Sequence, residues 1–136
     1  MDDLTKLQSK IPEKSISVLI IAQPGRFQDG LTALISVLPY VDRIYHESSI
    51  TETLRTISEQ RPGLALLDAD LLGDKMVDFL VLLKDHYPEP KYFVLASDVQ
   101  QEQLAKNTGV GGVLLKGFPA EKLLAKIEAL LNRDAG

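Results

Sequence analysis

The apolar positions of this chain switch repeatedly between two periods, short unbroken runs and stripes at helical spacing. Ile16 to Ala22 (Ile-Ser-Val-Leu-Ile-Ile-Ala) is rich in β-branched residues and reads as a buried strand. Pro24-Gly25 turns the chain out of it. Phe27, Leu31, Leu34, Ile35 and Leu38 then fall on one stripe, closed by Pro39, which predicts a helix with one buried face. Val41 to Glu47 is more polar and alternates, as an edge strand does. Ser49-Ile50-Thr51-Glu52 has the form of a capping box, opening a second helix that buries Ile50, Leu54 and Ile57.

The run Leu64-Ala65-Leu66-Leu67 follows Pro62-Gly63 and stops abruptly at Asp68. Too short for a helix and apolar throughout, it predicts a central parallel strand that delivers Asp68 to its carboxyl end. A loop through Gly73-Asp74 leads to a helix whose stripe is Met76, Phe79, Leu80 and Leu83. Val77, Val81 and Leu82 spread apolar surface around that helix, predicting broad burial beside a neighbouring helix, with an exposed patch for a partner as the alternative. Lys91 to Ala96 is a further buried strand, and Ser97-Asp98 is placed to cap the next helix, about Val99 to Asn107. With only Val99, Leu104 and Ala105 as apolar residues, that helix is expected to be the least firmly held. Gly109 suits a helix end. Val113-Leu114-Leu115 is a short strand ending at Lys116, and Pro119 opens a last helix buried through Leu123, Ile127, Leu130 and Leu131.

Strand followed by helix, five times over, demands a parallel sheet with right-handed crossovers and helices on both faces: an α/β doubly wound domain. Ligands in such sheets sit beyond the carboxyl ends of the strands. Gln23, Asp68 and Lys116, after the first, third and fifth strands, therefore collect at one edge.

Composition narrows the chemistry. The chain has 136 residues, enough for one domain with a core. Met1 to Lys14 is read as an extension, 15–132 as the domain and 133–136 as a polar tail. A net charge of −4 argues against direct nucleic-acid binding, which needs clustered Lys and Arg. There is no cysteine, so thiolate metal sites and thiol catalysis are excluded. No apolar stretch is long enough to span a bilayer, and cytoplasmic residence is the default expectation.

Three stretches together carry a resemblance: Val18-Leu19-Ile20-Ile21 with Phe27 and Gly30-Leu31; Leu66-Leu67-Asp68; and Gly109-Val110-Gly111-Gly112-Val113-Leu114-Leu115-Lys116. Over roughly Ser15 to Asn132 the chain resembles a response-regulator receiver domain, most closely the receivers that precede LuxR-type DNA-binding domains. The resemblance implies a flavodoxin-like, five-stranded parallel sheet of order 2-1-3-4-5 with five helices, and a non-enzymatic role in two-component signalling. It also implies that Asp68 stands where a histidine kinase phosphorylates an aspartate, and Lys116 where a lysine contacts the phosphoryl oxygens. A static ion pair between Lys116 and Asp68 explains the same two residues equally well.

Four positions depart from the family pattern. The acidic pair that holds Mg²⁺ after the first strand is replaced by Ala22 and Gln23, leaving Asp68 as a weak metal candidate. Mg²⁺ requires hard oxygens, usually carboxylates, and these two offer at most one neutral oxygen. The hydroxyl residue after the fourth strand aligns with Ala96, with Ser97 adjacent and better suited to capping. The aromatic switch of the fifth strand aligns with Val113. Asp70 and Asp74 are nearby carboxylates that could stand in for the missing pair, and Asp70, two residues along the loop, could reach the site; loop solvation and turn capping are the expected roles. The leading expectation is a degenerate pseudo-receiver, Mg²⁺-independent, without a cofactor, acting through contact with a kinase, an output protein or a second copy. The mixed charges Glu121, Lys122, Lys126 and Glu128 on the last helix would suit a homodimer. Two alternatives stand beside it: a working phosphoacceptor at Asp68, as the input domain of a LuxR-type regulator, and a small-molecule sensor using the cleft beside Ala22, Pro24 and Gly25.

Overall fold

The computed structural model describes residues 15–132. The expectations for 1–14 and 133–136 lie outside the described residues. Strands β1 (Ile16–Ile21), β2 (Val41–Glu47), β3 (Leu64–Asp68), β4 (Lys91–Ala96) and β5 (Gly112–Leu115) form one parallel sheet in the order β2-β1-β3-β4-β5. Helices α1 (Arg26–Ser36), α2 (Ile50–Gln60), α3 (Met76–His86), α4 (Val99–Asn107) and α5 (Ala120–Asn132) connect and follow the strands. This is the doubly wound parallel sheet that the alternation predicts, in the flavodoxin-like strand order that the resemblance implies, with β2 at an edge.

Successive strand side chains point to opposite faces, so each apolar run feeds two cores. Leu19, Ile21, Ala65, Leu67 and Val94 pack on the α2–α3–α4 side; Val18, Ile20, Leu64, Leu66, Phe93 and Leu95 pack on the α1–α5 side. All five residues of β3 are buried, which explains its unbroken apolarity. Each Leu or Ile so buried contributes about 1.5–3 kcal/mol before chain entropy is charged against it. Ser49 caps α2 as predicted, its side chain accepting from the Glu52 N–H.

Three local readings change. Asp68 is followed not by a loop but by a helical turn, Ala69–Leu72, and a 3₁₀ turn, Gly73–Lys75. Val81 of α3 faces solvent, so that helix is not buried all round. Phe27 leaves the buried stripe of α1 and stands partly exposed at the carboxyl edge of the sheet. Among the described residues no helix is long and apolar enough to cross a membrane.

Candidate functional site

Parallel pairing brings the ends of the strands into register: Asp68 lies opposite Leu95 of β4, and Ala96 opposite Leu115 of β5. Asp68, at 8% exposure, closes β3 and caps the turn behind it, its Oδ1 accepting from the Asp70 N–H at 3.0 Å. The same oxygen lies 2.6 Å from Lys116 Nζ. Lys116 is held from the other side by its own backbone, whose N–H donates to the Ala96 carbonyl at 2.8 Å. Its ammonium stands 4.5 Å above the Phe27 ring, a cation–π contact that the exposed aromatic supplies.

The turn after Asp68 swings Asp70 back across the edge. Lys116 Nζ also donates to Asp70 Oδ2 at 3.0 Å, so one ammonium bridges two carboxylates. The Ser97 hydroxyl donates to Asp70 Oδ2, and Gln101 Nε2 donates to Oδ1 at 3.0 Å. Gln101 is oriented by its other atom, Oε1, which accepts from the Ser97 N–H at 2.7 Å. The hydrogen bonds from Ser97, Gln101 and Lys116 hold the Asp70 carboxyl down at about 2. Partial burial pulls the Lys116 ammonium down, but hydrogen bonds and charge from Asp68 and Asp70 outweigh it and leave its pKa raised.

No family model matches the chain. Among curated proteins it is 29% identical to the sensory transduction protein LytT of Enterococcus faecalis over 112 residues, covering 82% of this chain and 46% of that protein. The chain thus spans about half the length of that relative. The isolated receiver domain of RcsB from Salmonella enterica serovar Typhimurium, solved with the phosphomimetic BeF3−, superposes with a TM-score of 0.78 at 16% identity, covering 88% of this chain and 91% of that one. A LuxR-family response regulator from Aurantimonas sp. SI85-9A1 gives 0.76 at 17% identity, covering 87% and 86%. The receiver domain of a modulated diguanylate cyclase from Desulfovibrio desulfuricans G20 gives 0.70 at 25% identity, covering 90% and 98%. The chain has the response-regulator receiver fold.

The carboxyl edge of the sheet brings together Asp68, Lys116 and Ser97, but Ser97 reaches the pair through Asp70. Two sequence expectations are corrected here. Asp98, not Ser97, caps α4, accepting from the Gln101 N–H at 2.8 Å, which frees the Ser97 hydroxyl for the site. Asp70 is not a loop residue engaged in capping; the helical turn aims its half-exposed carboxylate at Ser97, Gln101 and Lys116. Asp74 remains exposed in the 3₁₀ turn. Ala22 is buried and its carbonyl is taken by Gln28 Nε2 at 3.3 Å, while Gln23 is exposed. Ala96 and Val113 are both buried against the α2–α3–α4 side. A groove of about 280 Å³ borders Lys116, lined by Phe27, Leu31, Leu95, Leu114 and Phe118 rather than by Ala22, Pro24 and Gly25.

Gln101 escaped the sequence reading. Its signal was the spacing Asp98-x-x-Gln101, a capping box in which the third helical residue reaches back beyond the cap.

Proposed function

We propose that this receiver is a degenerate signalling module of a two-component pathway, a pseudo-receiver that works through protein contact and without Mg²⁺. The carrying observation is the bridge of Lys116 between Asp68 and Asp70, which engages the lysine with two internal carboxylates. The donor set does not suit Mg²⁺. Ala22 offers a methyl group and an already bonded carbonyl, Gln23 a neutral amide, and the nearest carboxylates are turned to an ammonium. Phosphoryl transfer to Asp68 would develop charge that a metal and a lysine normally share, and among the described residues Lys116 is the cation paired with Asp68.

The expected partners are a histidine kinase, an output protein or a second copy of the chain. Glu121, Lys122 and Lys126 are exposed on α5, as a charge-paired homodimer would need. The resident Asp68–Lys116 pair at 2.6 Å favours one other reading, a phosphoacceptor with an unusual metal shell.

Mg²⁺ with beryllofluoride, followed by amide NMR against an Asp68→Asn control, separates the two. The pseudo-receiver shows no saturable shift at Asp68, Ala96 or Lys116 at millimolar Mg²⁺. Mg²⁺-dependent shifts that vanish in Asp68→Asn would establish the phosphoacceptor instead.

A further inference from the structure

Ser97 Oγ, Gln101 Nε2 and Lys116 Nζ come from three elements, the end of β4, the first turn of α4 and the end of β5, and they converge on two oxygen atoms. Two hydrogen-bond donors and a cation aimed at one planar group form a receptor for a small oxyanion. The group they hold is the side chain of Asp70, supplied by the turn directly after Asp68. Tethering gives such a carboxylate an effective concentration that a free anion of similar affinity cannot match below the millimolar range. The carboxylate is not sealed in: the Asp70 side chain is 52% exposed, so the place it fills is open to solvent.

We propose that Asp70 is a built-in occupant of a small-oxyanion site made by Ser97, Gln101 and Lys116, presetting the sheet edge in an anion-bound arrangement with no added ligand. The inference rests on the pseudo-receiver reading and adds its regulation: the output surface is set in cis, and free anions leave it unchanged. Gln101 carries the effect outward, because it ties the first turn of α4 to Asp70 and to the Ser97 backbone at once. A mere helix staple would need the hydrogen bonds but not a replaceable anion.

Chemical rescue makes that distinction. Asp70→Ala, a change at an exposed side chain, is titrated with sodium formate at constant ionic strength, sodium chloride making up the balance and Mg²⁺ omitted. The amide signals of Ser97, Gln101 and Lys116 are followed. In the variant these signals move away from their wild-type positions, and formate returns them saturably, with an apparent affinity about tenfold or more tighter than any response of the wild type. Adding Ser97→Ala abolishes the return. Equal responses in wild type and variant, shifts that chloride reproduces, or signals that never leave their wild-type positions would each overturn the proposal. Neither Mg²⁺ nor beryllofluoride is present, so this outcome is read independently of whether Asp68 accepts a phosphoryl mimic.

Discussion

A carboxylate as sheltered as Asp68 costs stability unless its charge is answered, and here the Lys116 ammonium and the Asp70 backbone N–H answer it. Lys116→Met removes the cation and leaves the carboxylate nearly dry, so it should cost about 2–3 kcal/mol. Asp68→Asn in the same background should recover more than half of that loss, since the neutral amide no longer needs the cation. Urea unfolding of the four proteins at pH 7 measures the coupling, and strict additivity would show that the pair is not energetically linked. Asp70 adds little, because an exposed carboxylate is screened. The sign of its contribution is definite: with a pKa lowered from 3.8 to about 2, it stabilises above the ordinary carboxylate range and fades as pH falls through about 2. The Lys116 contribution runs the other way, present below its ordinary value of 10.5 and lost as pH rises through its raised folded value. Asp68 and Lys116 were legible from sequence because strand ends in a parallel sheet point one way. Asp70 was legible only as a carboxylate within reach of the edge, since Ala-Asp-Leu-Leu is too short for helical periodicity to announce the turn that aims it.

At the scale of elements, two glycines with the same residue type have opposite roles. Gly112 opens β5, where an added Cβ would lie 2.5 Å from the Phe93 ring, deep in the α1–α5 core. Gly30 lies inside α1, where an added Cβ meets nothing within 4 Å. Gly112→Ala should therefore destabilise by about 1–3 kcal/mol through overpacking. Gly30→Ala should stabilise by about 0.5–1 kcal/mol, through helix propensity and a less flexible unfolded chain. Thermal or urea melts of both variants decide it, and like-signed effects would contradict the packing. All five strands and five helices were legible because the runs and stripes are long enough to show their period. The α2 stripe was read incompletely: Thr53 and Thr56 are buried beside Ile57. Thr56 hides its hydroxyl by donating to Glu47 Oε2 at 2.5 Å, a long-range partnership that no local pattern displays.

Across the whole molecule, stability is unevenly shared, and the site lies at the join. β1 and β3 are enclosed by helices on both faces, whereas α4 contributes only Ala105 to the buried set and leaves Val99 at 68% exposure. What holds its first turn is polar: the Asp98 cap, the Gln101 side chain on the Ser97 N–H, and Gln101 on Asp70. Native-state hydrogen exchange should accordingly show β1 and β3 amides opening only with global unfolding, while the α4 amides exchange through a smaller, local opening. Removing the Asp70 carboxylate deletes one of the three ties, so Asp70→Ala should speed exchange at Leu104 and Ala105 by about threefold to tenfold, the equivalent of roughly 1 kcal/mol. Amides in β3 should not change, because the lost contact plays no part in sheet packing. If α4 instead exchanged as slowly as β3, or if Asp70→Ala quickened both together, the edge network would be an ornament on a helix held by its core. With α4 opening alone, a charge at the strand ends controls the helix that presents Val99 and Leu104 to solvent.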